Sequence, residues 1–241
     1  MIIREYREKM KIAVIPARGG SKRIPRKNIR EFAGRPMIAY AIDAAHASGL
    51  FDHVLVSTDN AEIAQIAQRH GAEVPFKRPP ELADDHTPTV PVIVHAIEAC
   101  RSLGWPVEHV CCIYPGVPLI QADDIAAALA LLDSAGGAGY TFPVTPFPSA
   151  IQRALRRAPD GRVGPFHPEH VNTRTQDLEP AFHDAGQFYW GLADTWLAGL
   201  AIHANAHTMV LPEWRVVDID TLADWERAEA LFNALSRGNP G

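Results

Sequence analysis

The sequence has too few cysteines for a disulfide scaffold. There are three in 241 residues, Cys100, Cys111 and Cys112, two of them adjacent in an apolar run and none in CxxC spacing. This excludes a cysteine zinc site as well and leaves buried, reduced thiols. No apolar run approaches the roughly 20 residues that cross a bilayer. The first ten residues, MIIREYREKM, lack the apolar stretch of a secretory signal. They are expected to form a flexible extension ahead of an ordered chain at 11–236, with a short flexible tail at 237–241 and a cytoplasmic location. A positive charge excess is also missing. With 23 Lys and Arg against 28 Asp and Glu the net charge is −5, which argues against general nucleic-acid binding but allows a local basic pocket. Walker, GxGxxG and GxSxG motifs are absent, and there is no credible Cys–His pair. His167 and His170, with Pro168 between them, read as a surface loop rather than a metal pair.

Short apolar runs alternate with helical patterns. Strands are expected at Lys11–Pro16, His53–Ser57, His109–Tyr114 and Tyr140–Val144. Helices are expected at Met37–Ser48 behind Pro36, after Asp59 with Glu62 in capping-box spacing, at Val90–Leu103, from Asp123 or Asp124 through Leu132, and at Leu222–Leu235 behind Thr221 and Asp224. This rhythm predicts an α/β fold, a mainly parallel sheet with helices on both faces. Residues 147–182 break it. They are rich in Pro, Arg and polar residues, too long for an ordinary loop, and read as an inserted lobe.

Two stretches carry chemistry. Ile15–Asn28 reads IPARGGSKRIPRKN, follows a strand, and gathers Arg18, Lys22, Arg23, Arg26 and Lys27 within ten residues of an otherwise acidic chain. Gly19 and Gly20 leave backbone N–H groups free to face phosphate oxygens, and Arg binds those oxygens in a fork while Lys acts as a point charge. The loop therefore reads as a triphosphate cradle. Val216–Asp220 reads VVDID; on a strand, Asp218 and Asp220 would share a face. Two adjacent carboxylates repel one another unless a cation lies between them, and Mg²⁺, or Mn²⁺, is the natural partner beside nucleotide phosphates. Asp59 either caps its helix, the favoured reading, or faces the same pocket.

Ala17-Arg18-Gly19-Gly20-Ser21-Lys22 followed by Lys27-Asn28 resembles the signature of the sialic-acid-type cytidylyltransferases, the CMP-sugar synthetases, and most of all their pseudaminic acid branch. The resemblance runs from about Lys11 to Leu235. It implies a three-layer, Rossmann-like nucleotidyltransferase fold whose inserted lobe forms a homodimer. The implied activity is transfer of CMP from CTP to the anomeric hydroxyl of a nonulosonic acid with release of pyrophosphate, for surface glycan or flagellin glycosylation. By position it places Arg18, Ser21, Lys22 and Lys27 on phosphates, Asn28 near the ribose, and the Asp218–Asp220 pair on the catalytic metal.

The resemblance also implies the substrate pockets. Arg78–Thr89, RPPELADDHTPT, is similar to the stretch that recognises cytosine, with Arg78 and Thr87 or Thr89 on the base. Asn172–Trp190, NTRTQDLEPAFHDAGQFYW, supplies Arg174 as a fork for the sugar carboxylate and Asp184, Gln187 and Tyr189 for its hydroxyl or acetamido groups. Tyr114 is either core or sugar pocket. At Tyr114–Leu119, YPGVPL, Gly116 and Val117 replace the small polar residues of the family pattern. Sialic, legionaminic and Kdo sugars remain alternatives. So do two other classes, a metal-dependent glycosyltransferase using its DxD and an inactive nucleotide-binding homologue.

Overall fold

A computed structural model describes residues 9–204 and 206–238. In chain order the elements are β1 (Met10–Pro16), β2 (Glu31–Phe32), β3 (Arg35–Pro36), α1 (Met37–Ser48), β4 (His53–Ser57), α2 (Ala61–Arg69), α3 (Thr89–Ser102) and β5 (Val107–Ile113). There follow α4 (Ala122–Ser134), β6 (Tyr140–Pro146), β7 (Leu155–Arg157), β8 (Val163–Pro165), β9 (Phe182–Asp184), β10 (Phe188–Leu192), α5 (Ala193–Leu197), β11 (Ala206–Val210) and α6 (Leu222–Gly238). Of the expected flexible ends, residues 1–8 and 239–241 lie outside the described residues. Met10 already belongs to β1, and α6 continues to Gly238.

The main sheet has the order β11-β6-β10-β5-β1-β4, with β9 paired to β6. β4, β1 and β5 are mutually parallel, as are β6 and β11, while β10 runs antiparallel to both β5 and β6. Five strands therefore point one way, as expected of a mainly parallel sheet. Its central strands are continuous apolar runs because helices cover both faces. Ala13, Ile15, Val54, Val56, Cys111 and Ile113 join the side chains of α1, α2 and α4. Their neighbours Ile12, Val14, Leu55 and Cys112 join those of α3 and α5, so the two-residue strand period feeds two separate cores. The three cysteines are free and buried, and burial pushes the Cys100 thiol up to about 12.

The chain passes from β1 to β4 on one side and then crosses to β5 on the other. The strand order thus reverses between β1 and β5, and a ligand crevice is expected beyond their carboxyl ends. The loop after β1 leads into that crevice. Residues 147–182 form a lobe of single 3₁₀ turns and the β7–β8 hairpin. Among the described residues, seven of the twelve exposed large apolar side chains belong to it: Phe147, Ile151, Leu155, Val163, Phe166, Val171 and Phe182. No helix among the described residues is long and apolar enough to cross a membrane.

Candidate active site

A cleft of about 330 Å³ opens at the carboxyl ends of β1, β4 and β5. Arg18, Ser21, Lys22, Lys27, Asn28, Arg78, Thr87, Thr89, Tyr114, Asp218 and Asp220 all line it, so one space gathers most of the residues singled out in the sequence. Tyr114 belongs both to the cleft and to the edge of the core.

The phosphate loop is shaped by contacts invisible in its own sequence. Asp59 is not the helix cap. Asn60 takes that place, accepting from the backbone N–H groups of Glu62 and Ile63 at 2.9 and 3.1 Å. This frees Asp59 to accept from the Gly19 N–H at 2.9 Å, which ties the loop to the end of β4. A Cβ at position 19 would lie 2.9 Å from the Asn60 amide nitrogen, so the glycine serves this close approach as well as any ligand. Buried Asn28 braces the loop from the other side, donating to the Arg18 carbonyl at 3.0 Å. Ala17, Gly19 and Gly20 are not in the cleft lining: Ala17 is fully buried, the Gly19 N–H is taken by Asp59 rather than left free for a phosphate, and Gly20 is exposed.

Val216–Asp220 is not a strand; it makes no ladder. The side chains nevertheless alternate as an extended segment requires, with Ile219 buried among Phe32, Trp225 and Ile24, and Asp218 and Asp220 turned to the cleft. Tertiary contacts replace the ladder. Arg215 pairs with Asp124 of α4, and Gln187 donates to the Arg215 carbonyl at 3.0 Å. Lys27 donates from the phosphate loop to the Ile219 carbonyl and lies 4.0 Å from Asp220. A Cβ at position 116 would meet only the Lys27 side chain, its Cε at 3.2 Å, a flexible end that can yield, and the departure at Gly116 has no structural explanation.

The cleft crowds charges of both signs into one partly buried space. Burial, then repulsion from Asp220, raises the Asp218 carboxyl above the usual range. Burial lowers the Lys27 ammonium despite both aspartates. Burial also lowers Arg78 to about 10, with its guanidinium bonded to the Ser57 hydroxyl and carbonyl. Arg23 donates to Asp220 at 2.6 Å. Sequence reasoning missed Asp85, which pairs with both Arg18 and Lys22 and is held down to about 2 by them. The Asp84-Asp85 dipeptide was the only signal, and no spacing rule links it to the loop 60 residues earlier. The two cleft carboxylates fit a hard cation that takes its remaining ligands from phosphate and water. No group of three or more His, Cys, Asp or Glu suited to a metal occurs among the described residues.

Four of the expected sugar residues do not line the cleft. Arg174 is exposed on the lobe. Gln187 is buried and spends its amide on the Arg215 carbonyl. Tyr189 is buried behind Tyr114, and its hydroxyl donates to Asp184 at 2.9 Å.

The sequence profile of the cytidylyltransferase family matches residues 12–186. The chain is 40% identical over 222 residues to a pseudaminic acid cytidylyltransferase of Campylobacter jejuni, covering 92% of this chain and 95% of that one. It is 29% identical to a CMP-N,N'-diacetyllegionaminic acid synthase of Legionella pneumophila, covering 92% and 95%. The solved structure of a CMP:2-keto-3-deoxy-manno-octonic acid synthetase complexed with CTP superposes with a TM-score of 0.71 at 18% identity, covering 94% of this chain and all of that one. A strand-to-loop cradle of Arg and Lys, two carboxylates facing it across one cleft, and a family match over most of the chain converge on one statement: this protein is a nucleotidyltransferase of the cytidylyltransferase family.

Proposed function

We propose that the protein transfers CMP from CTP to the anomeric hydroxyl of a nonulosonic acid, most specifically pseudaminic acid, in the cytoplasm. The observation that carries this reading is the single cleft in which the phosphate loop and the Asp218–Asp220 pair meet. The 40% identical relative named for pseudaminic acid supports the choice of sugar. The hydroxyl attacks the α-phosphorus in line and pyrophosphate leaves, chemistry that rests on positioning and charge stabilisation. Arg18 and Lys22 neutralise the triphosphate, and Lys27 holds the acidic segment against the loop. Asp218 and Asp220 are the residues that would hold Mg²⁺ or Mn²⁺, whose chemistry when bound is to stabilise phosphate charge and acidify the attacking hydroxyl. The test is pyrophosphate release from CTP with pseudaminic, legionaminic, sialic and Kdo sugars. Turnover with a neutral acceptor or a nucleotide sugar instead would favour a glycosyltransferase, and CTP binding without any turnover an inactive homologue.

The lobe's apolar side chains support a homodimer, the commonest closed assembly. Light scattering should give twice the 26.4 kDa chain mass, and Leu155→Asp with Phe166→Asp should halve it; a fully active wild-type monomer would defeat this. Arg174, on the same lobe, then serves the sugar carboxylate from outside the isolated cleft. Arg174→Ala should raise KM for the sugar about tenfold or more and leave KM for CTP unchanged. A rise for CTP alone would move Arg174 to the nucleotide.

A further inference from the structure

One buried ion pair ties the acidic segment to the core of the fold. Arg215 closes the 3₁₀ turn Glu213–Arg215, and its guanidinium forks onto Asp124, with Nη1 3.4 Å from Oδ1 and Nη2 donating to Oδ2. Only 11% of either side chain is exposed. Asp124 lies in the first turn of α4, a helix fixed to the sheet. There the Ile125 carbonyl accepts from Trp190 Nε1 at 3.0 Å and the Ala128 carbonyl from Thr141 Oγ1 at 2.8 Å. Asp124 is the guanidinium's single partner among the described residues, because the Arg215 Nε is buried without one. The Arg215 carbonyl is held as well, by Gln187 Nε2 at 3.0 Å.

Little else holds the chain that follows. Val216 donates to the Glu213 carbonyl at 3.2 Å and buries its side chain with Ala185 and Leu211. Among the described residues, Val217 and Asp218 make no hydrogen bond. The next ties come at Ile219, whose carbonyl accepts from Lys27, and at Asp220, whose N–H donates to Asp224 at 3.2 Å. Asp218 therefore hangs between two anchors, Arg215 upstream and Ile219 downstream.

Mg²⁺ demands near-ideal octahedral ligand geometry, so a carboxylate placed only by its flanks is sensitive to both of them. Arg215 and Asp124 are outside the cleft lining, and Arg215 is separated from Asp218 by about 10 Å of extended chain. Their influence must pass through the backbone. We propose that Asp124 and Arg215 are positioning residues that hold Asp218 where it meets the divalent cation. This rests on the function proposed above. It also gives Gln187, which does not line the cleft, a place in the same brace.

The test measures the metal's contribution apart from turnover. CTP is titrated calorimetrically without acceptor sugar, once in EDTA and once in Mg²⁺, and the gain in affinity that Mg²⁺ brings is the readout. In Asp124→Asn that gain should fall at least about fivefold, while the dissociation constant in EDTA moves less than about twofold. Removing one partner leaves the other charge buried and unpaired, whereas replacing both by apolar side chains is often neutral for stability. The double variant Asp124→Leu with Arg215→Met therefore guards against a failure to fold, and it should show the same reduced gain with the same affinity in EDTA. An unchanged gain in either variant would overturn the proposal. So would a matching loss in EDTA, which means a cleft loosened as a whole, or a gain restored in the double variant, which makes the pair's role one of stability. Asp218→Asn is the control. If it leaves the gain intact, the metal assignment has failed, and with it the functional reading.

Discussion

Asp218→Asn will lower kcat by at least about a hundredfold and will at the same time raise the melting temperature of the ligand-free protein. The first effect follows from weakening the hold on the divalent cation that Asp218 and Asp220 would carry, a cation that would stabilise the negative charge developing on phosphate in the transition state. The second follows from the direction of the Asp218 shift. Burial and the neighbouring Asp220 raise its folded-state pKa, so the fold binds that proton more tightly than the unfolded chain does. Ionised Asp218 therefore costs stability at every pH above its folded value, and the cost fades as pH falls toward the unfolded value near ~4. Asparagine removes it. Because the side chain is partly open to solvent, the gain is small, about 1–3 °C, and shrinks in high salt. Thermal melts in EDTA at pH 7.5 and pH 4.5, beside steady-state kinetics with metal, measure both halves. Near-normal kcat would remove Asp218 from the site, while lost activity with a lowered melting temperature would make its role structural.

This coupling bears on how much of the protein was legible in its sequence. The strand–helix alternation was, because two-residue and 3.6-residue apolar periods are local: His53–Ser57 and Met37–Ser48 came out with the observed boundaries. The final helix start was too, since Thr221 and Asp224 do exchange hydrogen bonds as a capping box. The acidic pair was recognised for a reason that held only in part. Asp218 and Asp220 share a face because the segment is extended, but the extension comes from Arg215, Gln187 and Lys27 rather than from a neighbouring strand. Asp59 was misread because Asn60, one residue on, offers the same cap chemistry, and only the proximity of Gly19 separates the two. Asp184 and Tyr189, expected in the sugar pocket, are not in the cleft lining. Strand period puts Gln187 and Tyr189 on one face, and it cannot show that Tyr114 stands between Tyr189 and the cleft.

Arg18→Ala will raise the dissociation constant for CTP about 10- to 100-fold, and Asp85→Asn will lower it about two- to fivefold, so that two partners of one ion pair move binding in opposite directions. Arg18 offers a planar fork to phosphate oxygens, and losing a charge-assisted hydrogen bond of this kind costs about 1.5–3 kcal/mol. Asp85 competes for that fork. It already binds Arg18 and Lys22, and its carboxyl, held down to about 2, is ionised at any pH at which the enzyme works. A triphosphate entering the loop must displace this internal anion. The pair is solvent-exposed and therefore weak, which limits the gain on removing it to about a few-fold. If competition is the mechanism, the gain must depend on the cations being there: Asp85→Asn should improve binding in the wild-type background and do nothing once Arg18 and Lys22 are both alanine. Calorimetric titration of CTP into the four proteins, with EDTA present to keep metal out of the balance, gives the complete cycle. A weaker, rather than tighter, Asp85→Asn complex would make Asp85 a direct partner of the nucleotide, and an equal gain in both backgrounds would locate its effect away from the phosphate loop.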